Sequence, residues 1–487
     1  MIHATGFITK LMTVRFLICA LFIFCVFCVK LYGVVENRNA ISGRVSCETH
    51  PDKLSIYGSV QVGYAKNSID SPTREIQHLE NSDQTWHVLR SDNGSHILLF
   101  SAYRIFVGSK LRLVIVGIEK CPTADHSRQC EFRGEIRVAK GPHERALTAV
   151  ILHRRLLPEH HMKDYKPVVY GAEIAASFHT QDITVRFVNG PDVSHSVTLR
   201  IEGVPKDNVY TFVMCLGPLR STNDQYPGRI VEWVEFNRLM GVDHIFVYLT
   251  NASSELREVL RYYKNKGLVT VLNWTLPVES DIHNFGQMAS LHDCLYRNMG
   301  ASEFLVNVDL DEFIVPRGGY RNWRDWIENV LPAAEYQIGS SVFSSRSDKD
   351  TTGYSSNISR VYITVSLIHT YRRLHVYTNC ERTKYIVRPE CAHILGIHCV
   401  HEFAQCSAGR SVVSADPGKI LVHHYRGYST DTARGVRVQD KTMLRFANKL
   451  VKCIENAWEK IQTNPRQHFT LPINELWTNY ERIMNEL

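Results

Sequence analysis

The stretch HIFVYLTNASSELREVLRYYKNKGLVTVL, residues 244–272, reads as strand, helix, strand. His244–Leu249 (HIFVYL) is a short apolar run of strand length. Ser253 or Ser254 can cap a helix in which Leu256, Val259, Leu260 and Tyr263 share one face, and Gly267 stands where it should stop. Leu268–Leu272 (LVTVL) is the next strand. Working outward, Val209–Leu216 (VYTFVMCL) is a buried-type strand, and Arg229–Met240 a helix with Ile230, Trp233, Val234 and Met240 at helical spacing before Gly241. Downstream, Gln287–Met299 is a helix with Met288, Leu291, Leu295 and Met299 apolar, and Glu303–Asp309 (EFLVNVD) a fourth strand. Strand and helix alternate with short connections. That predicts an α/β domain with a mostly parallel sheet covered on both faces. Ligands of such sheets bind at the carboxyl ends of the strands.

At that end stands Asp309-Leu310-Asp311-Glu312. Residues i and i+2 of an extended segment point the same way, so Asp309 and Asp311 are expected to present two carboxylates on one side, with Leu310 turned inward. Close carboxylates repel and favour a bound cation, and hard oxygen ligands suit Mg²⁺ or Mn²⁺. Such a cation can hold a diphosphate as it leaves. The bland alternative is a solvated acidic turn, because a bare D-x-D is common by chance.

The chain has 487 residues, which suggests two or three domains. Its hydrophobic fraction of 44% excludes wholesale disorder, and a net charge of +7 without a basic stripe argues against nucleic-acid binding. From Ser55 to about Pro205 short apolar runs such as HILLFSAYRIFV and LRLVIVGI are separated by Gly, Pro, Asp and Asn. That pattern predicts a β-rich module over 55–205, preceding a catalytic domain over 206–430 and a helical extension over 431–487. The module is expected to bind glycan or to support the catalytic domain. Trp86 and Tyr103 are offered either as stacking faces for a sugar or as core residues.

Residues 16–29 (FLICALFIFCVFCV) are apolar, Lys30 interrupts, and the run resumes to Val35. Residues 16–35 suffice to span a bilayer, and Lys10 and Arg15 place the tail 1–15 in the cytosol, with 36–54 as a stem. The expectation is a single-pass type II membrane protein; a cleaved signal peptide competes, but no small-x-small cleavage site follows. Of 13 cysteines, Cys19, Cys25 and Cys28 lie in the apolar run, and the remaining even number permits disulfides, with Cys121–Cys130 the favoured pair. Asn93, Asn251, Asn273 and Asn357 begin glycosylation sequons. These features favour the secretory pathway, in the Golgi or the endoplasmic reticulum. His398, Cys399, His401 and Cys406 fit no common zinc spacing.

The segments EWVEFNRLMGVDHIFVYLTNASSELREVLRYYKNKGLVTVLNW, GQMASLHDCLYR and FLVNVDLDEFIVPRG resemble glycosyltransferase family 92, which includes animal and plant β-galactosyltransferases. LLFSAYRIF upstream, and KYIVRPE, GIH and LVHHYRGY downstream, fit the same family, so the resemblance spans about 96–430. It implies a GT-A fold, a nucleotide-sugar donor such as UDP-galactose, a Mn²⁺-type metal, a glycan acceptor and inversion at the anomeric carbon. Asp309 and Asp311 match the family's D-x-D and take the metal and diphosphate role. Glu312 matches the acidic residue after it, behind the metal or against the donor sugar. Gln287 and Asp293 match a Q-x5-D; they lie about 120° apart on a helix, so one is expected to face the donor while the other orients a loop. Glu232-Trp233 matches an E-W, with Trp in the core and Glu orienting the donor loop. A metal histidine is expected from a later strand, either His424 or His398, with Arg426 suited to phosphate. The general base is sought among Asp348, Asp350, Glu381, Glu390 and Glu402, with preference for Asp348 and Asp350. One departure stands out: Leu249, Thr250 and Asn251 follow the second strand where related enzymes place an Asp that reads the nucleotide.

Two other classes compete. A non-enzymatic glycan-binding protein that kept the fold would be expected to lose Asp309 and Asp311 first. A glycosidase needs carboxylates about 5–9 Å apart across a glycosidic bond, which two residues on one strand end do not supply.

Overall fold

The computed structural model describes residues 85–461 except 91–95, 108, 121–134, 140–149, 176–177, 179–180, 190–191, 204–208, 220–226, 278–280, 345–363, 407 and 427–435. All of these belong to one compact unit. Asp348, Asp350 and the Cys121–Cys130 pair lie outside the described residues, as do the apolar run 16–35 and the sequons at Asn93 and Asn357. Among the described residues no helix is long and apolar enough to cross a membrane.

The architecture is mixed α/β, built on several sheets. The expected alternation is present: strands Tyr210–Leu219, His244–Leu249, Val269–Asn273 and Ser302–Asn307 alternate with helices Pro227–Leu239, Ser254–Asn265 and Gln287–Asn298. The Ser253 side chain accepts the Leu256 N–H and caps the second helix. The four strands pair in parallel in the order third, second, first, fourth. The sheet then continues with Lys384–Val387 and Ala333–Ile338, which run antiparallel to their inner neighbours. Because Lys384–Val387 runs against Ser302–Asn307, its first residue lies at the carboxyl end of that strand, where Asp309 stands.

Side chains alternate across the sheet as the pleat requires. Phe212, Met214, Ile245, Val247, Phe304 and Val306 face one layer, which contains Trp233 of the first helix and Leu256 of the second. Helix Ala447–Lys460 also lies in that layer through Leu450, Ile454 and Trp458. The described part of the segment expected as a helical extension, residues 436–461, thus packs in this layer through its helix. Val213, Cys215, Phe246, Tyr248 and Leu305 face the other layer, which is covered by helix Gln287–Asn298 and by the β-rich module.

That module is an eight-stranded array whose last strand, Asp192–Glu202, returns to pair with the second, His96–Val107. Strand His96–Val107 is buried on both faces. Ile97, Leu99 and Ala102 point into the module's own core, whereas Leu98, Phe100, Tyr103 and Ile105 join the layer under the catalytic sheet. The side-chain phase shifts at an irregularity between Leu99 and Ser101.

The sugar-stacking role offered for Trp86 and Tyr103 is therefore corrected. Trp86 packs against Phe100 and Trp274 with ring centroids 4.9 and 4.7 Å away. Tyr103 is fully buried, and its hydroxyl donates to Asp293. Three disulfides join described residues: Cys215–Cys294, Cys380–Cys399 and Cys391–Cys406. Cys399 and Cys406 are thus not available as zinc thiolates.

Candidate active site

Strand Ser302–Asn307 ends before the acidic motif, and the chain turns. The Glu312 N–H donates to the Asp309 carbonyl at 3.0 Å, and Glu312 opens the return strand Glu312–Pro316. Asp309 and Asp311 therefore sit on a turn and not on an extended segment, which corrects the simple i, i+2 expectation. Leu310 packs against the core as expected. The return strand pairs antiparallel with Ile420–Arg426 and sets His424 opposite Glu312.

The two aspartates have different neighbours. Asp309 Oδ2 accepts from Lys384 Nζ at 2.8 Å, and Oδ1 accepts from Gln287 Nε2 at 3.2 Å. Lys384 also lies 3.1 Å from Glu312 Oε2, which in turn accepts the Asp309 N–H at 3.0 Å. Asp311 Oδ2 is 3.1 Å from His424 Nε2, and His424 Nδ1 is 3.5 Å from Glu312 Oε1. The Asp309 and Asp311 side chains are 41% and 30% exposed, whereas those of Lys384 and Glu312 are 0% and 2% exposed. The aspartates can meet a ligand; Lys384 and Glu312 back them from inside.

Charge balance follows. Burial alone would raise Asp311, but His424, Arg229 and Lys384 outweigh it and hold the carboxyl well below its usual range. Burial disfavours the Lys384 ammonium, yet Asp309 and Glu312 keep it charged and raise its pKa. Burial would likewise lower His424, and Asp311 and Glu312 raise it instead. Lys384 and the buried Arg229 were not singled out in the sequence. Arg229 had a local cue, a cation in the first turn of a helix that leads to the site. Lys384 had none, because its partner is 75 residues away.

The donor set fits a divalent cation. Neighbouring ligands around Mg²⁺ or Mn²⁺ at about 2.1 Å stand roughly 3 Å apart, close to the Asp311–His424 separation. Glu312 behind the imidazole resembles the carboxylate–histidine support of many metal sites. Among the described residues no group of three or more His, Cys, Asp or Glu is arranged to hold a metal alone. The remaining positions would go to phosphate and water oxygens, as is usual for these cations. His398 Nδ1 is 3.1 Å from the Thr383 carbonyl, and burial lowers its pKa. Arg426 ends the strand two residues beyond His424, on the same side of it.

Gln287 reaches the site as expected. It opens its helix after the turn His283–Gly286, in which Asn284 and Phe285 adopt left-handed φ of 41° and 54°. Gly286 has φ 80°, and a Cβ there would meet Ile118 at 3.0 Å. The Asn284 amide donates to Gln287 Oε1 at 3.0 Å, which aims the Gln287 NH2 at Asp309.

Asp293, expected together with Gln287, is not in the opening. It is fully buried and accepts from Ser101, Tyr103 and Tyr248 at 2.5, 2.6 and 2.6 Å, and it pairs with Arg297 at 3.2 Å. It joins the two halves of the molecule. Glu232 is also buried; it accepts from the Val365 and Ser366 N–H groups at 3.0 Å and from the Ser366 hydroxyl. Trp233 is core, as expected, and its Nε1 also donates to the Asp309 carbonyl at 3.1 Å. Glu402 is paired with Arg155.

The site is an open carboxylate pair at a strand end, backed by a buried lysine and a histidine. Comparison with known proteins narrows the class. The sequence profile of glycosyltransferase family 92 matches residues 210–485, more than half of the chain, and the chain belongs to that family. The matched region includes the C-terminal helix and begins after the β-rich module. A relative named beta-1,4-galactosyltransferase galt-1, from Caenorhabditis elegans, is 23% identical over 74% of this chain and 81% of its own length. A second C. elegans relative, glycosyltransferase family 92 protein F13G3.3, is 29% identical over 22% of this chain and 23% of its own length. Among solved structures, glucosyl-3-phosphoglycerate synthase from Mycobacterium tuberculosis covers 52% of this chain and 80% of its own at 11% identity, with a TM-score of 0.21. The family establishes glycosyl transfer as the general activity.

Proposed function

We propose that the protein is a GT-A-type, inverting, metal-dependent transferase that moves a hexose, galactose from UDP-galactose in the first instance, onto a glycan acceptor. The carrying observation is the pair of part-exposed carboxylates Asp309 and Asp311, backed by Lys384, Glu312 and His424. The choice of galactose rests on the name of the 23% identical relative. Asp311 and His424 would hold a divalent cation such as Mn²⁺, which when bound neutralises charge on the diphosphate. Asp309, steadied by Lys384 and Gln287, offers a carboxylate to the donor from the same opening. Arg229 adds positive charge near Asp311, and Arg426 lies beyond His424 at the strand end.

In the transfer, an acceptor oxygen bonds to the anomeric carbon from the side opposite the diphosphate. The carbon–oxygen bond to the diphosphate breaks, and its electron pair leaves with the nucleotide. A carboxylate takes the acceptor's proton. Asp348 or Asp350 is our candidate for it: both follow strand Ser340–Ser344, whose Val342 pairs beside His424.

The full chain, given a panel of UDP-sugars, a glycan acceptor and Mn²⁺, is expected to release UDP with one hexose donor. EDTA should stop the release and Mn²⁺ restore it. Release that persists in EDTA would sink the metal assignment. Failure with every donor would favour a glycan-binding protein that has kept the fold.

We further read the run 16–35 as a type II anchor that holds the rest of the chain in the Golgi or endoplasmic-reticulum lumen, where disulfides form. The full-length protein should then resist carbonate extraction from membranes; recovery in the soluble fraction would overturn the anchor.

A further inference from the structure

A groove of about 890 Å³ lies between the β-rich module and the catalytic side of the molecule. The module contributes Arg112, His153 and Arg155, and the other wall contributes Tyr296, His393 and Glu402. His393 and Glu402 sit on a hairpin, Ala392–Leu395 with Val400–Phe403, anchored by the Cys391–Cys406 disulfide. A second hollow of about 320 Å³ shares Arg155, Ile394 and Glu402 with the groove and continues past Pro158 and His160 to His401.

From there a chain of contacts leads to the acidic turn. His401 Nε2 is 2.7 Å from Glu159 Oε1, and the Glu159 carboxylate accepts the Ile397 N–H at 3.2 Å. A Cβ on Gly396 would lie 2.3 Å from the His401 ring, so a larger residue there would have to displace this contact. Next in the chain, His398 bonds to Thr383 on both sides, at 3.1 and 2.6 Å, and Thr383 precedes the Lys384 that holds Asp309. Hydrogen bonds along one wall thus link the second hollow to the residues that hold the candidate active site.

Its charges are internally balanced. Arg155 forks onto Glu402, Arg154 onto Glu119, and Arg112 lies 3.7 Å from Glu173. Each guanidinium has a carboxylate partner, so an anionic ligand gains little by displacing it, whereas N–H and carboxylate edges remain for hydroxyl groups. Burial lowers the pKa of His393, which leaves a neutral imidazole able to donate and accept.

We propose that this groove is a saccharide subsite that holds the inner residues of a neutral, extended acceptor glycan while its terminal sugar reaches Asp309 and Asp311. The proposal rests on the transferase reading, and its test keeps the two apart. Binding of neutral pyranose oligosaccharides, from monosaccharide to about hexasaccharide, is measured by calorimetry on the full chain without donor. In parallel, KM and kcat for the same series are measured with the donor. Two variants probe the groove: Arg155→Ala, which removes the cation of an exposed pair, and His153→Trp, which fills the space from an exposed strand position.

For the wild type, affinity should rise with chain length. Each variant should weaken the long acceptors about tenfold, raising KM and leaving kcat, the monosaccharide and donor hydrolysis unchanged. Length-dependent binding lost in the variants, without any transfer, would keep the subsite and overturn the transferase. Transfer with no length dependence, or with variants equal to wild type on long acceptors, would overturn the subsite. That result also follows if a segment of this chain covers the groove. Equal weakening of monosaccharide and long acceptors would mean a distorted site, and it too counts against the proposal.

Discussion

Asp311→Asn is expected to lower hexose transfer by about 10²–10³-fold or more while the protein stays folded. Asparagine keeps the shape and can still bond to His424, but it removes the charge that His424, Arg229 and Lys384 hold in place. Asp311 is also the aspartate paired with the candidate metal histidine, so the loss should resist added donor and yield only in part to excess Mn²⁺. Asp309→Ala should likewise abolish transfer, by a different route. It leaves Lys384 buried with Glu312 as its one remaining carboxylate partner among those described. Circular dichroism and the thermal midpoint report on folding, and UDP release reports on activity. Near-wild-type release from a folded double variant would remove both aspartates from the mechanism.

Residues 206–487, expressed without the β-rich module, should aggregate. The layer under the catalytic sheet would lose Leu98, Phe100, Tyr103, Ile105, Val114, Val116 and Ile118 and expose what they cover. A point change tests the same junction in the full chain. Asp293→Ala leaves the Arg297 guanidinium buried without its nearest described carboxylate, Glu202 lying 3.8 Å away, and removes the acceptor of three hydroxyls. Breaking such a buried cluster costs about 3–5 kcal/mol. Chemical denaturation should show a lower midpoint of that order. A soluble 206–487 fragment that transfers sugar at the full-length rate would rule out the supporting role; an Asp293→Ala midpoint like the wild type would show that the cluster does not hold the junction.

The parts of this molecule that were legible in the sequence are local ones. The apolar spacing of residues 209–309 located four strands and three helices to within a few positions, because each buries one face against the same sheet. The acidic motif was visible because strand ends are where such sheets bind ligands. Gln287 was singled out only by the family resemblance, together with Asp293, and its place at a helix start beside Asp309 is seen in the fold.

What was hidden depends on pairing between distant segments. Lys384 meets Asp309 because the fifth strand runs antiparallel, and no periodicity in the sequence announces that direction. His424 was one of two candidate metal histidines, but its place opposite Glu312 comes from a register set over more than a hundred residues, which the sequence does not show. Asp293 looked like a functional carboxylate because its burial depends on a module far upstream. Trp86 was open between a sugar platform and a core residue, and the same module decides for the core. In both, the sequence shows the chemistry of the side chain and leaves its surroundings open.

Strand His96–Val107, apolar on both sides, also has a consequence for how the chain is made. Ser101 and Asp293 are 192 residues apart. At about 5–20 residues per second, synthesis leaves the outer face of that strand without its partner for on the order of 10–40 seconds. The module emerges first, closes on its own core, and waits with a sticky side in solvent. Whatever shields that side in the interval, a chaperone or a transient contact, becomes part of the protein's yield in the cell. Expression hosts with slow elongation and scarce folding helpers should deliver less of it, however stable the finished fold.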